Sequence, residues 1–587
     1  MSKLSFSYDV AVIGGGMTGI CAAIASARLG AKTVLLQDRP VFGGNASSEI
    51  RMHIAGATRH GHCANLRETG IIEEILLENK YRNPEHSYGI FDTILWEKVK
   101  FQENLDFFLN TFIDNVEMQD GKIISVSGSQ NTTGKSVKIT AKQFIDCSGD
   151  GLVSLLSGTD YMFGREGKDV FGEKYAFEKS DNVTMGNTIQ FRTLKADRPV
   201  PFKRPDWAYD YTNSDWAKRE KWEEITSGYW WLEIGGVEFD CLENADDTRD
   251  ELIKIIYGVW DYIKNHCYKK EEAENYYLDW VGFVPAKREG KRFIGDYILT
   301  ENDILANRIF DDSVAYGGWV IDDHYPEAFQ RRFKKYEEPI PQSANFSGAY
   351  GIPYRSLYSK NVDNLFLGGR LISASHRALS STRVMSICAV IGEAIGVSAA
   401  LAVRDNLTVR ENIKNIKEIQ QLLLRNGCYI PNVKNEDPLD LAQKATVISD
   451  FGIPQNVING ISRPEGDNSN MWEAPISENP YLSLSFEKAQ GIKEIDITLD
   501  SNLSVEIMPS LSKWHHVRQA YSVPDTILKD FTVEAFCGDE SVFKKEIYDN
   551  YQRRVIINAD VSCNKIVITP TATRGCENAR ICEVRIY

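Results

Sequence analysis

None of the 11 cysteines of this 587-residue chain falls in a Cys-x-x-Cys pair. Fe–S clusters and structural zinc sites draw on closely spaced thiolates, so neither is expected. Cys537, Cys563, Cys576 and Cys582 gather toward the C-terminus, where free buried thiols are expected ahead of a disulfide. Positive charge is also short: 67 Lys and Arg against 82 Asp and Glu leave a formal net charge of -15. Nucleic acid, which asks for a basic surface, is therefore not an expected partner. No basic-then-apolar leader opens the chain; "MSKLSFSYDV" runs straight into an apolar segment, and a cytoplasmic location is expected. The longest run of small apolar residues, "ICAVIGEAIGVSAALAV", is short, rich in Gly and Ala, and holds Glu393. It reads as a buried helix, with no membrane contact.

In bulk the chain is ordinary, with 43% hydrophobic and 25% charged residues, as in globular proteins. Its length calls for two or three domains. Near the start, "YDVAVIG" is almost wholly apolar, the pattern of a strand buried on both faces of a parallel sheet. Gly14, Gly16 and Gly19 follow as Gly-x-Gly-x-x-Gly, with Thr18 between the last two. The first permits a tight turn, the second a close approach to pyrophosphate, and the third close packing of helix on strand. The helix "TGICAAIASARLG" stops at Gly30, and "KTVLLQ" is the next strand. This order predicts a dinucleotide site with phosphates at the helix N-terminus. The acid that usually ends the second strand is replaced by Gln37, a neutral partner for a ribose. Asp38 comes one residue late and is expected to point to the other face of the strand.

Further along, "RPVFGGNASSEIRMHIAGA" places Gly43, Gly44, Asn45, Ser47 and Ser48 as donors near the nucleotide, with Arg51 and His53 after them. "LDFFLNTFIDNVEMQDGKIISVSG" alternates like a hairpin, and "ITAKQFIDCSGDG" ends a strand in Ser148, Gly149 and Asp150. Much later "NLFLGG" ends in a glycine turn with Gly369 and Arg370. A long Ala/Gly helix starts near Ser380–Val384, with Ser381 and Arg383 at its head.

These segments resemble the FAD-dependent oxidoreductases of the glutathione-reductase structural type, and more narrowly a bacterial FAD-dependent oxidoreductase family. The matched stretches are Gln37 to Glu49, Gly351 to Arg355 and Gly368 to Arg383. The resemblance implies FAD as cofactor, its adenosine on the first glycine motif, Asp150 helping to position it, and the Gly369–Arg370 turn and final helix near the flavin. It also implies that Gln37 is usual in this family. A helix starting at the flavin's pyrimidine edge would stabilise charge on the reduced ring. No second Gly-x-Gly-x-x-Gly is present for a nicotinamide nucleotide.

The expected fold is α/β: a Rossmann-like FAD-binding domain in two parts (1–160 and 343–430), an inserted α+β cap (161–342), and a C-terminal antiparallel β-sandwich or jelly roll (440–587). The cap is rich in Trp, Tyr and Phe and includes "GYWWLEIGG" and "DELIKIIYGVWDYIKNH". "FVPAKREGKRFIGDYILTENDIL" resembles a family stretch, with Gly290 and Lys291 in place of a Ser and an Arg. Candidate catalytic residues are Arg288 and Arg292 as cationic forks, His324 as a base oriented by Asp322 or Asp323, and His376. His60 and His62 resemble metal ligands by type alone, and no metal is expected. In the last third, period-two runs such as "YLSLSFEKAQGIKEIDITLD" read as strands. They resemble galactose-binding-like discoidin modules through Asn459-Gly460 and Trp472. "KWHHVRQAY", Lys513 to Tyr521, is expected to be a loop or inter-domain contact.

The function expected is hydride transfer between a small molecule, a carbohydrate or polyol, and flavin N5. The alternatives are a flavin-dependent reductase of an unsaturated or carbonyl acid, and a sugar-binding protein with an inert flavin domain.

Overall fold

In the computed structural model, which describes residues 3–222, 224–227 and 229–587, the first strand, Lys3–Ile13, lies at the centre of a mixed sheet. It pairs in parallel with Thr33–Leu36 on one side and Lys135–Asp146 on the other. Leu105–Phe108 extends the sheet beyond Thr33–Leu36, and Leu365–Leu367 pairs with the C-terminal end of Lys135–Asp146. Val10, Val12, Val34 and Leu35 are fully buried, which is why these segments are continuously apolar. The expected hairpin begins later than its pattern, at Thr111. Thr111–Gln119 and Lys122–Gln130 are antiparallel, joined by Asp120 and Gly121 with φ of 48° and 77°, the primed turn that suits strand twist. The four residues Leu105–Phe108 instead pair with the parallel strand beside them.

The small-residue helix Met385–Arg404 packs on Met17–Arg28 at close range. A Cβ on Gly392 would stand 2.1 Å from the Thr18 carbonyl oxygen, and one on Gly396 would stand 2.2 Å from that of Ala22. The helix is long and apolar enough to cross a bilayer, yet it is buried inside the protein. Its Glu393 accepts a 2.8 Å bond from the Ile71 N–H, and burial pushes its pKa up to about 7.

The cap has its own core of Trp216, Trp222, Trp260, Phe191 and Tyr229. The aromatic wealth of this region is therefore mostly packing. Its helix runs over Ala245–Asp261, starting before its pattern, and finishes as a π turn over Tyr262–His266.

The C-terminal third is antiparallel throughout. Two long strands, Leu482–Leu499 and Arg554–Thr573, pair twice across a register shift between Ser485 and Gln490. On one side of that shift they join Asn578–Ile586 and Trp472–Pro475. On the other they join Thr446–Ile448, Leu528–Cys537 and Glu540–Ile547. Two strands thus serve both layers of a β-sandwich. All 11 cysteines are free; Cys563 and Cys582 are buried, Cys576 is half-buried and Cys537 is exposed. Trp472 is fully buried and its indole donates to the Phe451 carbonyl, so it is a core residue. Asn459 caps its own turn, accepting from the Ile461 N–H.

One apolar core runs from the parallel sheet into the sandwich, from Val10 and Ile395 to Leu484 and Ile581. Polar bonds reinforce the seam. Arg67 pairs with Glu73 at 2.7 Å and donates to the carbonyls of Ser501 and Asn502, each at 3.0 Å. From the sandwich, Arg463 reaches back to the Asn65 carbonyl and to Thr69 Oγ1.

Candidate active site

The carboxyl ends of the parallel strands open on a cavity of about 1170 Å³, where a doubly wound sheet places its ligands. Gly14, Gly16, Met17 and Thr18 line one end. Gly14 has φ +104°, and a Cβ there would meet the Cys147 carbonyl oxygen at 2.2 Å. Gly19 stands behind, where a Cβ would be 1.8 Å from the Gly14 carbonyl oxygen. It packs the helix on the turn and does not face the cavity. Nothing lies within 4 Å of a Cβ built on Gly16, which opens to the cavity. The helix Met17–Arg28 has no side-chain cap at its start. Neither has Met385–Arg404, whose first residues, Val384 and Met385, line the same cavity. Two helix starts without side-chain caps therefore share one space, although the Ser386 N–H of the second donates to the Ala55 carbonyl.

Gln37 uses its amide locally: Oε1 accepts from the Gly15 N–H at 2.7 Å and Nε2 donates to the Val41 carbonyl at 3.2 Å. It lines the cavity while locking the glycine turn. Asp38 departs from the expected orientation. The strand ends at Leu36, so strand alternation no longer governs Asp38, which lines the cavity beside Gln37. Gly43, Gly44 and Asn45 also line it, and Asn45 Nδ2 donates to the Lys287 carbonyl of the cap.

Ser47 and Arg51 are corrections. Ser47 is buried behind the loop, its N–H bonded to the Gly44 carbonyl. Arg51 lies off the cavity, with its guanidinium 4.0 Å from the Trp280 ring and its Nε donating to the Ser48 carbonyl. Burial and the Arg192 charge lower its pKa to about 10.

The turn over Ser148–Asp150 meets the Gly369–Arg370 turn. Asp150 takes Arg370 Nη2 at 2.8 Å and Lys287 Nζ at 2.6 Å. Burial would raise its pKa, but these two cations hold it low. Ser148 accepts from the Gly151 and Leu152 N–H groups and donates to Asp146. Gly149 and Gly369 line the same wall. Arg370 Nε is buried without a hydrogen-bond partner among the described residues.

At the far end stand Arg288, Asp322, His324, Arg383 and a group of tryptophans. Arg288 pairs with Glu233 at 2.8 Å and donates to the Trp230 carbonyl at 2.8 Å. Arg383 donates to the Asp322 backbone carbonyl at 2.9 Å, and its Nε has no hydrogen-bond partner among the described residues. His324 lies between two carboxylates, with Nδ1 3.0 Å from Glu233 and Nε2 3.1 Å from Asp322. Burial would lower its pKa, and the two carboxylates raise it. A ring with an acceptor at each nitrogen holds two protons, so His324 is a cation here and not a free base. Asp322, beside His324, Arg383 and Arg288, is held well below the ordinary carboxylate range despite burial.

Three further expectations are corrected. Arg292 is fully buried and off the cavity, bound to Glu166, Glu289 and the carbonyls of Gly164 and Ala374. His376 is buried behind the wall, with Nδ1 2.8 Å from Glu289 and Nε2 3.1 Å from Asp323. Burial opposes its charge, but these carboxylates raise its pKa to about 10. Ser381 bonds to the Trp319 carbonyl and the Tyr350 hydroxyl and faces neither ligand space nor solvent. These residues build the frame that holds the wall in place.

Sequence reasoning overlooked the residues supplied from a distance. Trp230 and Trp231 come from "GYWWLEIGG", Trp319 from the segment before Asp322, and Lys513, Trp514, His515 and Arg518 from the sandwich. The only signal for the last group was the density of aromatic and imidazole side chains in "KWHHVRQAY", which forms a helical turn over Lys513–His516.

A model of the family described as FAD dependent oxidoreductase matches residues 9–423. Among solved structures, a fucose binding module of Streptococcus pneumoniae, SpX-3, is 12% identical, covering 25% of this chain and 96% of its own, with a TM-score of 0.20. The family 32 carbohydrate-binding module of NanJ from C. perfringens, solved with galactose, is 16% identical over 25% of this chain and 97% of its own, TM-score 0.18. L-proline dehydrogenase from P. horikoshii is 19% identical over 29% of this chain and 26% of its own, TM-score 0.17.

Proposed function

The chain belongs to the FAD dependent oxidoreductase family, whose cofactor is FAD; from that premise we propose that it oxidises a hydroxyl-bearing small molecule, a sugar or polyol. The residues fit the cofactor. Two uncapped helix N-termini, an open glycine at residue 16 and the unpartnered Arg370 Nε all face, or stand beside, one elongated cavity. When bound, FAD supplies the hydride acceptor at N5.

The observation that carries the reading is the make-up of the far end. The indoles of Trp230, Trp319 and Trp514, packed against imidazole rings, line that end together with Arg288, Asp322 and Arg383. Aromatic faces suit the C–H surface of a pyranose or extended polyol, while charged forks take its hydroxyls. Trp319 Nε1 is buried without a hydrogen-bond partner among the described residues, a donor still free for a hydroxyl oxygen. Asp322 is held ionised and can accept from a substrate hydroxyl. His324, clamped between carboxylates, fixes Asp322 in place.

Anaerobic mixing of the yellow protein with a panel of sugars and polyols tests this. Loss of the flavin's visible absorbance with at least one of them is expected. A panel that leaves the colour intact sinks the reading. One observation favours reduction of an unsaturated or carbonyl acid instead: the open Nε of Arg383, beside Arg288, could clamp a carboxylate. Reoxidation of pre-reduced protein by such an acid, with the sugar panel inert, would establish that alternative.

A further inference from the structure

Three histidines from two distant parts of the chain meet at the far end of the cavity. His53 and His60 come from the segment after the Gly43-Gly44 turn, and His515 comes from the sandwich. Their ring nitrogens lie within 4.8 Å of one another. The ring centroids are 6.0 Å apart for His53 and His60, 4.4 Å for His53 and His515, and 4.7 Å for His60 and His515.

We propose that His53, His60 and His515 form a binding site for one divalent transition-metal ion, with its remaining coordination position open to the cavity. Imidazole nitrogens suit Zn²⁺, Co²⁺, Ni²⁺ and Cu²⁺, and three protein ligands with an open position make a site that binds and polarises a ligand oxygen. Nitrogens about 2.0–2.1 Å from a tetrahedral ion stand about 3.3 Å apart.

Two other observations point the same way. His60 Nδ1 is buried and without a hydrogen-bond partner among the described residues, a lone donor-acceptor with nothing to satisfy it. His515 Nδ1 is 2.9 Å from Ser510 Oγ, which fixes the ring and leaves Nε2 free, the usual support behind a metal-bound imidazole.

The segment is pinned to keep this geometry. Arg59 and His60 both have left-handed backbone, φ 51° and 57°, which costs energy outside glycine. Arg59 donates to the Gly318 and Phe346 carbonyls, and Glu506 of the sandwich takes the Thr58 hydroxyl. A field of mixed sign reaches the trio, with the Asp322 carboxylate favouring a cation and Arg288 opposing it at His53. Among the described residues no carboxylate joins the three imidazoles as a fourth ligand within the same radius.

The test uses the full chain with its flavin, stripped with chelator and titrated with Zn²⁺ by calorimetry and with Co²⁺ by visible spectroscopy. Metal is counted per chain by elemental analysis, and flavin separately by its own absorbance, so failure here and failure of the flavin reading are distinguishable. One Zn²⁺ per chain is expected, with Co²⁺ bands of a four- or five-coordinate ion. His53→Gln, His60→Gln and His515→Gln should each weaken Zn²⁺ at least about 100-fold, and Ser510→Ala about tenfold. His62→Gln, on an exposed residue of the same loop, should bind as the parent does. The proposal fails if no stoichiometric binding appears, or if His515→Gln retains flavin and melting temperature yet binds Zn²⁺ unchanged. Should a glutamine variant not fold, Ser510→Ala decides: unchanged Zn²⁺ affinity there overturns the assignment.

Discussion

At the glycine end of the cavity the wall is main chain. Positions are set by turns that admit no side chain and by helix starts without side-chain caps. At the far end the wall is side chain, drawn from the cap, the segment after the first turn, and the sandwich. The first end gathers three turns of the sheet, and at Gly14 and Gly19 it admits no Cβ. The second is assembled from residues more than four hundred positions apart, and each is held by partners behind it. A generic ligand part can be recognised by geometry that many sequences share. A specific part needs chemistry that only the assembled chain provides.

Substitution should separate the two ends, and the largest effect belongs to the backbone wall. Gly19→Val puts carbon atoms into the Gly14 carbonyl. It should cost more than about 4 kcal/mol, with no flavin copurifying; a yellow, stable variant would break the comparison at its root. Next comes the frame. Arg292→Met strands Glu166 and Glu289 in a buried site and should cost about 3–5 kcal/mol in denaturant unfolding. Since Arg292 does not touch the cavity, what protein survives should keep its substrate KM, and a raised KM at full stability would return it to the binding wall.

The frame also carries a pH signature. The folded pKa of His376, about 10, lies above the ordinary histidine value. Its contribution is therefore fully present below about pH 6.5 and lost as pH rises toward 10. It is worth on the order of a few kcal/mol. Unfolding free energy measured across that window should fall in the parent and fall less in His376→Asn; identical slopes would show that the ring is uncharged. At the far end, Trp514→Ala should raise substrate KM about tenfold, or ~1.4 kcal/mol, without loss of flavin. The smallest change belongs to Gln37→Glu. The Gly15 N–H keeps an acceptor while the bond to Val41 is lost, so FAD affinity by calorimetry should shift less than about tenfold.

The same contrast explains what could be read from the chain alone. Gly14, Gly16 and Gly19 announce themselves by their spacing within one strand-to-helix turn, although the backbone that excludes a Cβ at Gly14 is the distant Cys147. That the Ser148–Asp150 and Gly369–Arg370 turns serve one cofactor was legible only through the family resemblance; the ion pair that joins Asp150 to Arg370 was not foreseen. Arg292, His376 and Ser381 were misplaced because residue type indicates charge or hydrogen-bonding capacity but not which side of a wall it faces. Only the packed structure sets Glu289 and Asp323 against His376. Asp38 was misdirected by extending strand alternation past the last paired residue. The imidazole cluster was hidden for another reason: metal-ligand spacing was sought within one segment, and the third ring arrives from another domain's loop.

That arrival has a consequence for how the protein comes into being. The loop carrying Trp514 and His515 is seated by a sandwich whose last strand, Asn578–Ile586, pairs with both Trp472–Pro475 and Leu482–Leu499. On the ribosome the cleft would stay unroofed until the final strand emerges. The order of synthesis thus delays completion of the redox chamber until Asn578–Ile586 has been made, well after the loop that roofs it.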